Sequence, residues 1–285
     1  MSKVIITTDS TADLSQAMLD QYQIKTVPLY VRFEEEFYKD GVDITTPELY
    51  KKVSELGYLP KTAAVSPGDF VDFFEPFLKE GYKIVHISIG ASISGTYQSA
   101  LLAKDLLETE DIFIINSDNL SSGIALLVLK ATTFRDQGFD AKEIYEKTLA
   151  LVPLVRSQFG IKTLDYLHKG GRASGLSALI GGVLKVRPII QVRDGKLDVY
   201  KKPMGKMSRG LDIMLTDFFN EVDKDNIDLD FVMITHSLAS SSYDYMQGKV
   251  LEKIQPKNLI ESHAGCVISS HCGEGTIGIL YIVKS

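Results

Sequence analysis

The chain has 285 residues, 45% of them apolar and 24% charged, a balance that describes a globular protein of one very large domain or two smaller ones. Its 31 Lys and Arg against 37 Asp and Glu, a net charge of -6 with no basic run and no basic stripe among aromatics, argue against a nucleic-acid partner. Cys266 and Cys272 are too few for a disulfide framework or a four-ligand zinc site and fit a reduced cytoplasm, while no signal-peptide core and no membrane-spanning apolar stretch is visible.

In chain order, β-branched runs over 4–8, 26–33, 84–89 and 112–115 alternate with helical patterns over 14–22, 47–56, 96–107 and 121–134. Continuous apolar strands between helices predict a parallel sheet covered on both faces. Thr46-Pro47-Glu48 and Ser66-Pro67-Gly68-Asp69 mark two helix starts, each a hydroxyl cap before proline with an acid in the first turn. From about Phe159 the texture changes. Gly170-Gly171, Gly175 and Gly181-Gly182 crowd one stretch, and Asp194-Gly195 between apolar runs at 188–192 and 197–200 predicts a hairpin. Helices over 209–222 and 243–254 with strands over 230–235 and 278–283 complete a second α/β unit. The boundary is expected near residue 160, giving domains 1–160 and 161–285 that abut and form a cleft.

The common catalytic signatures are absent, with no G-x-x-x-x-G-K-[ST], G-x-S-x-G or H-E-x-x-H. Gly273-Glu274-Gly275-Thr276-Ile277-Gly278 satisfies G-x-G-x-x-G, but a dinucleotide site needs a following helix and the seven residues left read as strand. Ser92-Ile93-Ser94-Gly95-Thr96 follows a strand and opens a helix, so it is either an anion site of hydroxyls and free N–H groups or a plain helix cap. Thr62, between two helices, has the same ambiguity. His168-Lys169-Gly170-Gly171-Arg172 joins backbone freedom to cations and either aims Arg172 at an oxyanion or is a solvated loop. His271-Cys272 lacks a carboxylate to orient the base, which disfavours a cysteine hydrolase, and His236 either lines the cleft or caps a turn.

Taken together, Thr8-Asp9-Ser10-Thr11-Ala12-Asp13-Leu14, Lys61-Thr62 with Ser66-Pro67-Gly68-Asp69-Phe70, Ser94-Gly95-Thr96-Tyr97-Gln98, Leu167-His168-Lys169-Gly170-Gly171-Arg172 and His271-Cys272-Gly273-Glu274-Gly275 resemble, in order and across residues 4–283, the DegV family. The resemblance implies an N-terminal three-layer α/β/α domain with a parallel sheet, a C-terminal two-layer α/β domain with a mixed sheet, and a fatty acid in a buried tunnel. It further implies a lipid-binding, non-catalytic subunit that presents the carboxylate to a separate ATP-binding fatty-acid kinase, with no cofactor and at most transient membrane contact. By the same resemblance Thr62 and Ser94 hold the carboxylate, while Gly95, Arg172 and His271 lie near the head group or the partner. Two departures stand out: Ala63-Ala64-Val65 replaces a more polar Ser-Gln-Pro, and Glu274 replaces proline. A carboxylate aimed at a bound carboxylate would repel it, so Glu274 is expected to face solvent or a cation. The competing classes are an independent small-molecule kinase or hydrolase in the cleft, and a lipid carrier that meets no kinase.

Overall fold

The computed structural model describes residues 3–172 and 186–285; the glycines at 175, 181 and 182 lie outside them. In chain order the first half comprises β1 (Lys3–Asp9), α1 (Gln16–Gln21), β2 (Ile24–Val27), β3 (Tyr30–Phe33), β4 (Glu36–Lys39), α2 (Thr46–Leu56), β5 (Lys61–Ala63), α3 (Pro67–Lys79), β6 (Tyr82–Ser88), α4 (Thr96–Leu106), β7 (Ile112–Asn116), α5 (Ser122–Asp136) and α6 (Ala141–Leu151). The second comprises β8 (Val155–Gly160), α7 (Asp165–Lys169), β9 (Ile189–Arg193), β10 (Lys196–Lys201), α8 (Met207–Asp223), β11 (Ile227–His236), α9 (Ser240–Lys253), β12 (Leu259–His263), α10 (Cys266–Cys272) and β13 (Ile277–Val283).

The first sheet is parallel, in the order β2-β1-β6-β7. The second is mixed, in the order β10-β9-β8-β13-β11-β12, and only β11 and β12 run parallel. The strand expected over 26–33 is two strands in two sheets. Pro28 cannot donate to a ladder, and Leu29 N donates instead to Ser10 Oγ at 3.1 Å, turning the chain into a small antiparallel sheet β4-β3-β5. The second sheet takes β8 as an interior strand, so its first strand ends at Gly160.

The helix starts behave as their residues dictate, with one shift. Thr45, not Thr46, caps α2, and the Glu48 carboxylate accepts from its N–H and hydroxyl. Ser66 Oγ accepts from Asp69 N at 3.1 Å at the start of α3.

One helix ties the halves together. α5 is buried without a break from Ser122 to Thr132, and its run Ile124–Leu129 is apolar on every side, as a helix clad all round requires. It shares one core with Ile6, Val85 and Ile87 of the parallel sheet and Met233, Leu280 and Ile282 of the mixed sheet. Alternation does the rest: Ile279, Tyr281 and Val283 of β13 point the other way, onto α8 and α9. The charge inside this interface is Lys130 of α5, whose ammonium lies 2.7 Å from Asp230 and pairs with Asp228.

Candidate functional site

Thr62, Ser94, Gly95, Arg172 and His271 come from five separated stretches and line one cavity between the two sheets. Thr62 is on the edge strand β5, Ser94 and Gly95 form the turn into α4, Arg172 follows α7, and His271 lies in the last turn of α10. The rest of the wall is mainly apolar, supplied by Leu29, Ile89, Ile93, Leu120, Phe159, Leu167, Leu197, Val267, Ile268 and Leu280. With its mouth included, the cavity encloses about 940 Å³ of empty space.

α10 has no periodic signal, and its start is built from a distance. Asp13 Oδ1 accepts from Gly265 N at 2.8 Å and Asp40 Oδ1 from Cys266 N at 2.7 Å, so two buried carboxylates cap its first N–H groups. Burial raises the pKa of both, while the hydrogen bonds they accept pull against it. Asp9 accepts from Ile89 N at 2.8 Å and from Ser88 Oγ at 3.1 Å, fixing the strand end that leads to Ser94. The aspartates of the N-terminal motif therefore position the site from behind.

At the polar end, His271 Nε2 and Thr62 Oγ1 are 2.8 Å apart, while His271 Nδ1 is buried without a partner among the described residues. Burial first, then the nearby Arg172 charge, lowers the His271 pKa to about 4, so the ring is neutral at pH 7. Neutrality lets it pass a hydrogen bond to the threonine hydroxyl, which can in turn donate to an anion in the cavity. Ser94 Oγ lies 2.9 Å from Thr96 Oγ1, so this serine belongs to the helix entry and to the cavity wall at once.

Arg172 donates from Nη1 to Gly170 O at 2.8 Å and, more weakly, from Nε to Ile93 O at 3.4 Å. Among the described residues no carboxylate pairs with it, so its guanidinium bridges two carbonyls beside the cavity and keeps donors available. The paired glycines have separate reasons. Gly171 has φ +72°, while a Cβ on Gly170 would lie 2.2 Å from His271 Nδ1.

Other readings resolve as follows. The residues 273–278 turn through Gly273 and Gly275, both at positive φ, straight into β13, with no helix for a pyrophosphate. Cys272 is buried, its thiol is pushed up to about 12, and its Sγ faces Gly273 O, so it is not an activated nucleophile. Glu274 is exposed. His236, Glu261 and His263 bring three possible ligand atoms within 4.8 Å of one another. Ala239 N donates to His236 Nδ1 at 3.0 Å, however, which leaves the proton of the neutral ring on Nε2, bonded to Glu261 at 2.9 Å. That tautomer has no lone pair for a cation. Ser121, Thr235, Ser237 and Thr276 also line the cavity, and sequence reasoning missed them, because strand register rather than any motif brings Thr235 beside Gly278 and Phe159.

Comparison with known proteins now decides the family. The family model described as "Uncharacterised protein, DegV family COG1307" matches residues 3–284. A DegV domain-containing protein of Clostridium acetobutylicum is 35% identical over the full length of both chains, and one of Caldanaerobacter subterraneus is 33% identical, again over both chains entire. The chain belongs to the DegV family. Among solved DegV structures, a fatty-acid-binding protein from Thermus thermophilus superimposes with a TM-score of 0.91 at 25% identity, covering 99% of each chain. A lipid-binding DegV protein from Thermotoga maritima gives 0.86 at 26% identity, covering 99% of each chain. A stearic-acid-binding protein from Eubacterium ventriosum gives 0.86 at 27% identity, covering 99% of this chain and 98% of the other. The two-domain architecture, parallel sheet first and mixed sheet second, is that of the DegV structures. Among the described residues no helix is long and apolar enough to cross a membrane.

Proposed function

We propose that this DegV family member binds one long-chain fatty acid with its tail in the apolar cavity and its carboxylate at Thr62 and Ser94. It then presents that carboxylate to a separate ATP-dependent kinase for acyl-phosphate formation, acting as a non-catalytic subunit in the cytoplasm. The observation that carries the reading is the polarisation of the cavity: Thr62, Ser94, Arg172 and His271 share a wall that is otherwise mostly aliphatic and aromatic. Similar proteins described as fatty-acid-binding support it.

The energetics divide the labour. Burying about fourteen methylenes at roughly 0.8 kcal/mol each gives on the order of 11 kcal/mol before ordering and association costs. Hydrogen bonds to a carboxylate add about 1.5–3 kcal/mol each. The tail supplies affinity and the head group supplies orientation, which phosphoryl transfer requires of its nucleophile. Arg172, without a carboxylate partner among the described residues, is the group suited to developing phosphate charge. Mass spectrometry of an organic extract from the purified protein tests the binding step, with close to one long-chain fatty acid per chain expected. An extract without lipid, together with no uptake of added palmitate or oleate, would sink it.

A further inference from the structure

The two halves of this chain are poorly suited to hinge apart, because α5 shares one core with both sheets. Polar ties close the same interface: Ser157 Oγ donates to Asn119 Oδ1 at 2.7 Å and Thr235 Oγ1 to Ser122 Oγ at 2.5 Å. The α10 wall of the cavity is equally secured, by Asp13, by Asp40 and by the bond between His271 and Thr62. A long acyl chain therefore needs a way in that leaves these groups in place.

Among the described residues, the β9–β10 hairpin is the wall that lacks such ties. β9 pairs with β8 only through Ile189, Ile190 and Gln191, so residues 192–197 project past the sheet as a two-stranded finger. Its turn is Asp194-Gly195, both at positive φ, and β10 has no neighbour on its outer side. Leu197 of the finger lines the cavity. One flank of the finger is hollowed by a recess that Asp118, Pro153, Arg156 and Arg193 bound. The other is hollowed by a recess of Ser92, Gly171 and Lys196, which shares Ile93, Arg172 and Leu197 with the cavity itself. Where the finger reaches the first half it meets Asp118: a Cβ on Gly195 would lie 3.4 Å from Asp118 Cβ. Among the described residues no side chain of 192–197 forms a hydrogen bond or an ion pair, and the first ion pair along β10 is Lys201 with Asp217, inside the second half. A hairpin without further strands is marginally stable, and segments with few ties open far more readily than the whole fold.

Resting on the lipid reading above, we infer that residues 192–197 are a flap over the seam between Ile93 and Leu197, through which the fatty acid enters and leaves while the two halves stay closed. A swing about Gln191 withdraws Leu197 from the wall and joins the cavity to the outer recess. Thr62, Ser94 and His271 keep their places throughout. Phe159, Leu167 and Ile190 stay behind as the small cluster on which Leu197 packs when the flap is down. Affinity then resides in the fixed wall and exchange rate in the flap.

Asp118→Cys with Gly195→Cys tests this, since the Cβ separation lies at the short end of the roughly 3.5–4.5 Å that a disulfide spans. The palmitate-loaded protein is mixed with excess deuterated palmitate, oxidised or reduced, and exchange is followed by native mass spectrometry. Wild type, whose Cys266 and Cys272 are buried, is carried through both treatments. Bound palmitate is expected to stay near one per chain in every case. Exchange by the double variant is expected to slow ~100-fold on oxidation and to recover with reductant. Leu197→Ala is the second variant, expected to speed association and dissociation together, where loss of a mere tail contact speeds dissociation alone. Exchange at the wild-type rate with the disulfide confirmed by mass would overturn the flap. So would a cysteine pair that stays reduced in oxidant, because the finger would then not be seated on Asp118, and so would a change confined to dissociation in Leu197→Ala. Wild type that takes up no palmitate would defeat the lipid reading itself, and the flap with it.

Discussion

Adding one methyl group at Gly170 strikes the site at its tightest point. A Cβ there would lie 2.2 Å from His271 Nδ1, 2.8 Å from its Cε1 and 2.9 Å from the Tyr166 carbonyl oxygen. To regain an ordinary contact of 3.4 Å the ring must retreat by about 1.2 Å, which breaks its 2.8 Å hydrogen bond with Thr62. Overpacking costs about 1–3 kcal/mol and the lost hydrogen bond about 1 kcal/mol. Gly170→Ala is therefore expected to destabilise the chain by ~2–4 kcal/mol and lower Tm by roughly 5–15 °C. Gly171→Ala is the control: it meets nothing within 4 Å and suffers only its φ of +72°, a cost of about 1–2 kcal/mol. Differential scanning calorimetry of the two variants gives the comparison, and a crystal structure of Gly170→Ala locates the ring. A Gly170→Ala protein that melts within about 2 °C of wild type, with His271 still on Thr62, would refute the reasoning.

Thr62→Ala with Ser94→Ala is expected to leave the fold intact and to loosen or misplace the carboxylate of a bound fatty acid; a crystal structure with an unchanged head group would show that other residues hold it. Arg172→Ala is expected to retain lipid yet lose most phosphorylation by a kinase subunit, and phosphorylation at the wild-type rate would remove the role proposed for the guanidinium. Buried His86 is held near 3 and His271 near 4, both below their ordinary 6.5, by loss of water. Because the unfolded chain then binds protons that these folded imidazoles refuse, the two histidines' contribution to stability is expected to fall as pH drops from about 6.5 towards 4, against the opposite contribution of buried Asp13 and Asp40 with their raised pKa. His86→Phe, placed between Phe70 and Phe74, should flatten that slope in urea titrations at several pH values; an identical slope would mean that His86 does not contribute.

Motifs exposed the polar end of the site because glycine, hydroxyl and cation cluster where backbone must turn or approach closely. Lys61-Thr62, Ser94-Gly95 and Gly170-Gly171-Arg172 each carry that local signature, and all reach the same cavity. The apolar wall has no such signature, since an aliphatic side chain reads the same whether it faces a ligand or a core. α10 was invisible for a different reason: seven residues do not sustain a helix alone, and its caps come from Asp13 and Asp40, more than two hundred residues away. β8 and β12 were missed because their pairing partners, β13 and β11, decide their state.

The wedge formed by α5 also governs how this chain comes into being. A helix clad on both sides by different sheets has no finished environment until both sheets exist, and the later sheet is completed only by β13 near the C-terminus. During synthesis the emerging N-terminal half therefore presents the side of α5 that packs on β11 and β13 to water or to chaperones until those strands have been made. Contacts between residues a hundred or more positions apart are expected to slow folding and to couple the two halves in one cooperative melting transition.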